Sequence, residues 1–425
     1  MQSLLKPANR ITPQKIQYLL NIFMTAVFMM SCAGGSGGTN NSANTNNYPI
    51  APGAPESPLP FKDITAAEYV AGIKIGWNLG NTFDAVGDRN GFSWLGGGRY
   101  ANTTVQQMET AWGNPVTAKE NFIALKNAGF NAVRIPVSWS KSVDVENIIR
   151  ADWMARIAEV VNYAADIGLY VILNTHHDEE LFKFTNAQAE ESLSVFKKIW
   201  EQIAAAFRNY DEKLIFEALN EPRTKGSPQE WTGGIIFEHL NLNKYYEVFT
   251  EAVRSSGGNN DKRVIMVNTY AASAEQIAMS ALAVPADSAP NKIIVSIHSY
   301  SPYDFALNLR SPVNTWSADN SADTRPITDF IDRAYSTFIN NGIPVILGEF
   351  GAMNKENADT RAEWAEFYVS YAMGKGMPCF WWDNGIFTGG PNDEKFGLLD
   401  RRTNDLPYPQ IVDGLMRGVS AWQQR

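Results

Sequence analysis

Two short apolar runs end in glutamate. One closes as Phe216-Glu217-Ala218-Leu219-Asn220-Glu221-Pro222 and the other as Leu347-Gly348-Glu349-Phe350-Gly351. Two carboxyl groups facing each other across a cleft can divide the labour of breaking an acetal: one moves a proton on and off the departing oxygen, and the other attacks the carbon or activates water. Three of the four histidines close other runs: His176 and His177 end one, and His298 ends another together with Tyr300. Histidines also bind metals, but an adjacent pair does not turn readily into one tetrahedral site, and neither an HxxxH spacing nor a cysteine ligand pattern is present. Hydrogen bonding to substrate hydroxyls and to the two glutamates is the better use for them, so no metal and no cofactor is expected. His239 falls in a helical pattern and reads as structural.

Something must hold those run ends together. Val- and Ile-rich runs alternate with helical patterns from Ile73 onward, at 73–79, 131–137, 169–175, 213–220, 263–269, 292–300, 343–350 and 377–383. Strands alternating with helices in this way predict a parallel sheet of βα units, and eight of them predict a (β/α)8 TIM barrel in a single catalytic domain. Each run begins apolar and ends in Asn, His, Glu, Trp or Tyr, which places the ionisable residues at the C-terminal mouth, where barrels carry their sites. Thr117 and Glu120 form a capping-box pattern for the helix after the first run, with Gly129 as its stop, and Asp152 opens the next, which ends at Gly168. Trp112 and Trp139, in loops after the first and second runs, are candidate aromatic platforms. By strand alternation Trp381 should face the helices and Trp382 the mouth. Glu217, Asp178 and Glu179 read as acidic residues without a suitable partner.

Composition narrows the substrate. The 425 residues carry 36 Lys and Arg against 45 Asp and Glu, a net charge of −9, with no basic run, so a nucleic-acid partner is not expected. Twelve Trp, 16 Tyr and 22 Phe in an acidic chain suit a neutral carbohydrate, whose C–H faces pack on aromatic rings. At the front, Lys6, Arg10 and Lys15 precede an apolar stretch from Tyr18 to Met30, the pattern of an export signal over residues 1–32. Met29-Met30-Ser31-Cys32 resembles a bacterial lipobox, which would make Cys32 a lipidation site. Cys379 is the only other cysteine and lies in an apolar run, so no disulfide is expected to occupy Cys32. Residues 33–60, Gly/Ser/Asn-rich and then carrying five prolines, read as a flexible tether, with the catalytic domain over 61–425. Attachment to the outer membrane or cell surface, as a monomer, follows as an expectation.

Eight ordered fragments, IKIGWNLGNTFDA, ETAWGNP, VRIPVSW, VILNTHHD, FEALNEPR, IHSYSPY, ILGEFGAMNK and WWDNG, resemble glycoside hydrolase family 5, from about residue 73 to about 415. Within it the chain is most similar to subfamily 4, mostly endo-β-1,4-glucanases. The resemblance implies that Glu221 is the acid/base and Glu349 the nucleophile of a retaining hydrolase. It also implies that Arg134 lies beside the nucleophile, that Asn220 binds the sugar 2-hydroxyl, that Trp382 floors the −1 sugar site, and that Asn78, Asn81 and Asp84 shape the glycone side. The implied substrate is a β-glucan, with xyloglucan or mixed-linkage glucan preferred. A mannanase or xylanase on the same scaffold, or a non-catalytic glycan-binding surface lipoprotein, are the alternatives.

Overall fold

The computed structural model describes residues 48–87 and 103–423. Cys32, the export signal and most of the tether lie outside the described residues. Eight parallel strands, β1 (Gly76–Leu79), β2 (Ala132–Ile135), β3 (Tyr170–Asn174), β4 (Leu214–Glu217), β5 (Ile265–Asn268), β6 (Ile293–His298), β7 (Val345–Phe350) and β8 (Cys379–Asp383), close into a barrel in sequence order, with β1 paired to β8. Each lies inside one of the eight expected runs.

Strand alternation sorts the side chains. Outward residues such as Trp77, Val133, Leu173, Phe216, Val267 and Trp381 pack under the surrounding helices in one continuous apolar layer. Trp381 does so against Phe350 and Trp364, as alternation requires. Inward residues change character within two positions. The lower set, Ala132, Ile172, Ile215, Met266, Ile294, Ile346 and Phe380, forms a separate apolar cluster. Gly76 belongs to this level, because a Cβ there would stand 2.1 Å from the Phe380 ring. The next inward residues along the same strands are Asn78, Arg134, Asn174, Glu217, Asn268, Ser296, Gly348 and Trp382. A polar storey therefore rests on an apolar one.

The foot is plugged by the short helix Ala66–Gly72, whose Tyr69 and Val70 join the inner apolar cluster. A Thr65/Glu68 capping box starts it. The Tyr69 hydroxyl donates to the Lys213 carbonyl at 3.1 Å, and burial pushes this phenol well above its ordinary range.

Two expectations need correction. Residues 48–60 are not a free tether. Ala51 and Ala54 are buried, Ala51 N–H donates to the Ala206 carbonyl, Leu59 N–H to Asn209, and Asn162, Asn209 and Asn259 side chains bind the carbonyls of Gly53, Pro55 and Leu59. The prolines set an extended path whose carbonyls are satisfied by asparagines of the barrel, which composition cannot show. The Thr117/Glu120 capping box does not form before the helix between β1 and β2, Lys119–Asn127: Ala118 is its N-cap, and a single side-chain bond serves that end, Asn121 Oδ1 accepting the Ala118 N–H at 2.9 Å. Gly129, at φ +104°, does follow that helix.

Candidate active site

Arg134 is the hub of the polar storey. Its guanidinium is fully buried and donates to four side chains: Nε to Glu217 Oε2 at 2.6 Å, Nη1 to Glu349 Oε1 at 2.7 Å and to Asn78 Oδ1 at 3.0 Å, and Nη2 to Asn220 Oδ1 at 2.8 Å. Burial works against its charge, yet Glu217 and Glu349 outweigh that and hold the guanidinium more firmly protonated than usual. Glu217 accepts further from Asn174 at 3.1 Å and Asn268 at 2.9 Å. The expectation that Glu217 lacks a partner is therefore wrong: it is the counter-ion that lets Arg134 sit in the barrel.

Glu349 would miss the cleft in an ideal strand. Gly348 is inward, so the next residue should point at the helices. The β6–β7 register shifts between Ile297 and His298, the β7–β8 register shifts between Leu347 and Phe350, and Glu349 comes to lie opposite His298. This irregularity turns the carboxylate inward, a familiar use of bulges near active sites. Gly348 is needed too, since a Cβ there would meet Ser296 Oγ at 2.6 Å and His298 Nε2 at 3.0 Å. Tyr300 closes the arrangement, its hydroxyl donating to Glu349 Oε2 at 2.9 Å. Burial and the charges of Glu349 and Glu221 keep that phenol well above its ordinary range, so it stays protonated to donate to Glu349.

Glu221 is held differently. Its backbone is left-handed, φ +41°, a conformation that costs a non-glycine residue about 1–3 kcal/mol. Arg223 steadies it by donating from Nη1 to the Glu221 carbonyl at 2.9 Å. The carboxylate lies 3.1 Å from His298 Nδ1 and 3.5 Å from Arg223. Burial pushes this carboxyl up, but the hydrogen bond and charge of His298, with Arg223 and His177 behind it, outweigh burial and hold it below the usual glutamate range. One oxygen of Glu221 and one of Glu349 lie within 4.8 Å of each other, with His298 between.

The other expected residues divide into two groups. Trp382 and His176 stack face to face, centroids 5.8 Å apart and planes at 3°, on one wall of the mouth. Burial keeps His176 neutral, well below its ordinary value, and Asn174 Nδ2 addresses its Nδ1 at 3.2 Å. His177 stands on the rim beside Trp112, 5.8 Å between centroids. Burial opposes its protonation, but Glu179, itself paired to Lys225 at 2.7 Å, and Asp84 outweigh burial and raise it. Glu179 too has partners that the sequence did not suggest.

Asn78 and Asp84 lie behind the surface. Asn78 ties Arg134 to the Gly348 carbonyl. Asp84 is buried with its oxygens accepting the Asn81 and Thr82 N–H groups at 2.9 and 2.5 Å. It fixes the loop in which Asn81, at φ +55°, makes the turn. Trp139 is a correction: it is fully buried, its indole N–H donating to the Asn174 carbonyl at 3.0 Å, so it offers no platform. Asp178 accepts the Trp139 and Ser140 N–H groups at 2.8 and 2.7 Å, and burial pushes it to about 7.

Among the described residues, two groups of donors are close enough to hold a cation, Glu221 with His298 and Glu349, and Asp84 with His176 and His177. The carboxylates have other partners: Glu349 is bound by Arg134 and Tyr300, and Asp84 accepts two backbone N–H groups. A cation in the first group would also face the buried Arg134.

Residues 97–388 match the family model Cellulase (glycosyl hydrolase family 5). The chain is 42% identical to Endoglucanase A of Clostridium longisporum over 355 residues, 83% of this chain and 66% of that protein. It spans 41% of the length of another curated relative. A broad-specificity GH5-4 endoglucanase from Ruminococcus champanellensis, solved with cellotriose, superposes with a TM-score of 0.79 at 41% identity, covering 84% of this chain and 100% of that one. A GH5 lichenase from Caldicellulosiruptor sp. F32 gives 0.78 at 39%, covering 87% and 100%.

Proposed function

Since the chain belongs to glycosyl hydrolase family 5, we propose that it is a retaining endo-β-1,4-glucanase acting on β-glucans by double displacement. One observation carries the mechanism: the Glu221 and Glu349 oxygens lie within 4.8 Å. Retaining enzymes place their carboxyl groups ~5–5.5 Å apart, whereas inverting ones leave ~6.5–9.5 Å for a water.

Glu349, fixed by Arg134 and Tyr300, attacks the anomeric carbon, and the bond to the leaving oxygen breaks as Glu221 protonates it. Glu221 then takes a proton from water, which attacks the same carbon and releases Glu349. For the first step Glu221 must carry a proton, although the open site holds it below its ordinary range. A sugar chain over the cleft expels water, which penalises the charged carboxylate and favours the protonated form beside His298. Arg134 Nη2 holds the Asn220 amide oxygen at 2.8 Å, which leaves the amide NH2 to donate to the sugar 2-hydroxyl.

The relatives named broad-specificity endoglucanase and lichenase support β-glucans as the substrate class, with xyloglucan or mixed-linkage glucan preferred for this chain. Proton NMR of the new reducing end during the first minutes of hydrolysis is the test. A β anomer is expected, and an initial α anomer would overturn the mechanism.

Export with lipid attachment at Cys32 is supported by the sequence pattern before it. Radiolabelled palmitate should enter the full chain and not Cys32→Ala; equal labelling of both would refute the anchor.

A further inference from the structure

The loop after β7 does more than follow Glu349. Met353, Asn354 and Lys355 close the fragment ILGEFGAMNK, and the double displacement uses none of them. This loop reaches across to the loop after β6. Met353 N–H donates to the Ala306 carbonyl at 2.9 Å and Asn357 Nδ2 to the Asn314 carbonyl at 2.8 Å. Between them Lys355 Nζ lies within hydrogen-bond distance of four backbone carbonyls: Asp304 at 2.6 Å, Val313 at 3.1 Å, and Asn308 and Ser311 at 3.2 Å. An ammonium carries three protons and accepts nothing, so four neutral oxygens gathered on one nitrogen answer its charge as much as its protons. Carbonyl oxygens turned toward one point are the coordination that monovalent cations find in proteins. The segment that supplies them has little else to hold it. Beyond the single helical turn Tyr303–Ala306, residues 307–314 form neither helix nor strand, and Tyr303, Leu309 and Val313 turn apolar surface to solvent.

The wound segment delivers one side chain inward. Leu307 packs on the apolar group of Met353, Trp382 and Phe396, and Tyr300 packs on the same group, its ring 5.4 Å from that of Phe396. Tyr300 in turn donates to Glu349. Resting on the reading of Glu349 as the nucleophile of a β-glucan hydrolase, we propose that Lys355 is a positioning residue, its ammonium being the tethered cation around which the loop after β6 is wound. Its carbonyl cage is then a site for a free monovalent cation of ammonium size, such as potassium, once the side chain is removed. The cation fixes residues 304–313, Leu307 from that segment backs Tyr300 and Trp382, and Tyr300 aims the carboxylate. A charge that touches neither sugar nor glutamate thus bears on the attack through one leucine.

Simple salts are the probes. Well below its unfolding midpoint, Lys355→Ala should lose about tenfold in kcat on an aryl β-cellobioside, as a misplaced reacting group does, with KM changed by less than about threefold. Potassium or ammonium chloride should restore most of that loss along a saturable curve, lithium or tetramethylammonium chloride at the same ionic strength should not, and the unaltered protein should respond to none of them. Leu307→Ala, which cuts the relay and leaves the cage filled, should lose kcat similarly and ignore potassium. An unmoved kcat in folded Lys355→Ala would overturn the positioning role, because a merely structural lysine costs unfolding midpoint and not turnover. A loss that lithium repairs as well as potassium, or that no cation repairs, would overturn the cage. The unfolding midpoint of Lys355→Ala should be higher in potassium than in lithium, a comparison that needs no substrate. Failure of that variant to fold in either salt would overturn the cage, and Leu307→Ala then decides the relay alone. Unaltered protein that cleaves no β-glucan would instead refute the hydrolase reading and the relay with it, while the midpoint comparison still decides the cage.

Discussion

The two glutamates stand in unlike surroundings. Around Glu349 every restraint is short, buried and charged or strongly polar: Arg134 on one oxygen, Tyr300 on the other, and Glu217, Asn78, Asn174 and Asn268 keeping Arg134 in place. Around Glu221 the contacts are longer and fewer, the backbone is strained, and the neighbours His298 and Arg223 come from a strand end and a loop. A nucleophile must stay charged and aimed, and a rigid ionic cage does that. A group that gives up a proton and later recovers it must respond to what covers it: the open site favours its charged form, and a shell of longer contacts lets an arriving sugar chain reverse that preference.

The sharpest way to break that comparison is to remove each carboxylate. Glu349→Ala should lose at least ~10⁴-fold in polymer turnover, because no other group forms the intermediate. Azide should then yield the α-glycosyl azide. Glu221→Ala should lose roughly 10²–10⁴-fold on polymer, keep a fast first step on an aryl glycoside with a good leaving group, and give the β-azide. Exchanged azide products, read by NMR, would mean that the cage surrounds the acid/base instead.

Next comes the cage itself. Arg134→Met leaves Glu217 buried without its cation and should destabilise the fold by about 3–5 kcal/mol in urea unfolding. His298→Ala, on the looser side, should cost less than half of that in stability while changing the pH dependence of kcat/KM. Equal destabilisation by the two variants would erase the contrast.

A chain starting at Phe61 rather than near Tyr48 loses the buried Ala51 and Ala54 and their hydrogen bonds. Its unfolding free energy should drop by about 1–3 kcal/mol with kcat unchanged. The smallest effect concerns Asp178, buried beneath the Trp139 and Ser140 N–H groups. Its folded value, about 7, lies above its unfolded value, so the protonated form is favoured by folding. Its contribution is fully present below the unfolded value and is lost as pH rises through about 7. Asp178→Asn should flatten the decline of the melting temperature between about pH 4 and about pH 7; an unchanged slope would refute the assignment.

The sequence made the strands and the mouth legible because both are local: a Val- or Ile-rich run declares a buried strand, and a polar residue at its end declares the top. Glu221, Glu349, Arg134 and His298 were recognisable for that reason. Glu217 was misread because its justification, Arg134, is 83 residues away in sequence and becomes a neighbour only when β2 and β4 close into a barrel. Asn174 and Asn268 ended strands in the same way as Asn220 and could have been found by that signal alone. Trp139 follows a strand as a platform would, yet a loop fold turns its indole to a carbonyl inside. The bulge that aims Glu349 has no mark in the residues except Gly348. Arg223 stood two places past Glu221 and was passed over, since an arginine in a loop is ordinarily a solvated one.

The packed stretch 48–60 has a mechanical consequence. A pull on the chain at Tyr48 is first resisted by its carbonyl bond to Arg208, then by the contacts of Ala51, Gly53, Pro55 and Leu59 with Ala206, Asn162, Asn209 and Asn259. These are successive clasps, released one by one, and all precede the helix that plugs the foot. Load entering from the front of the chain is spent there before it reaches a strand carrying Glu221 or Glu349. Such a load is taken up at the foot of the barrel, away from the mouth that holds the two carboxylates.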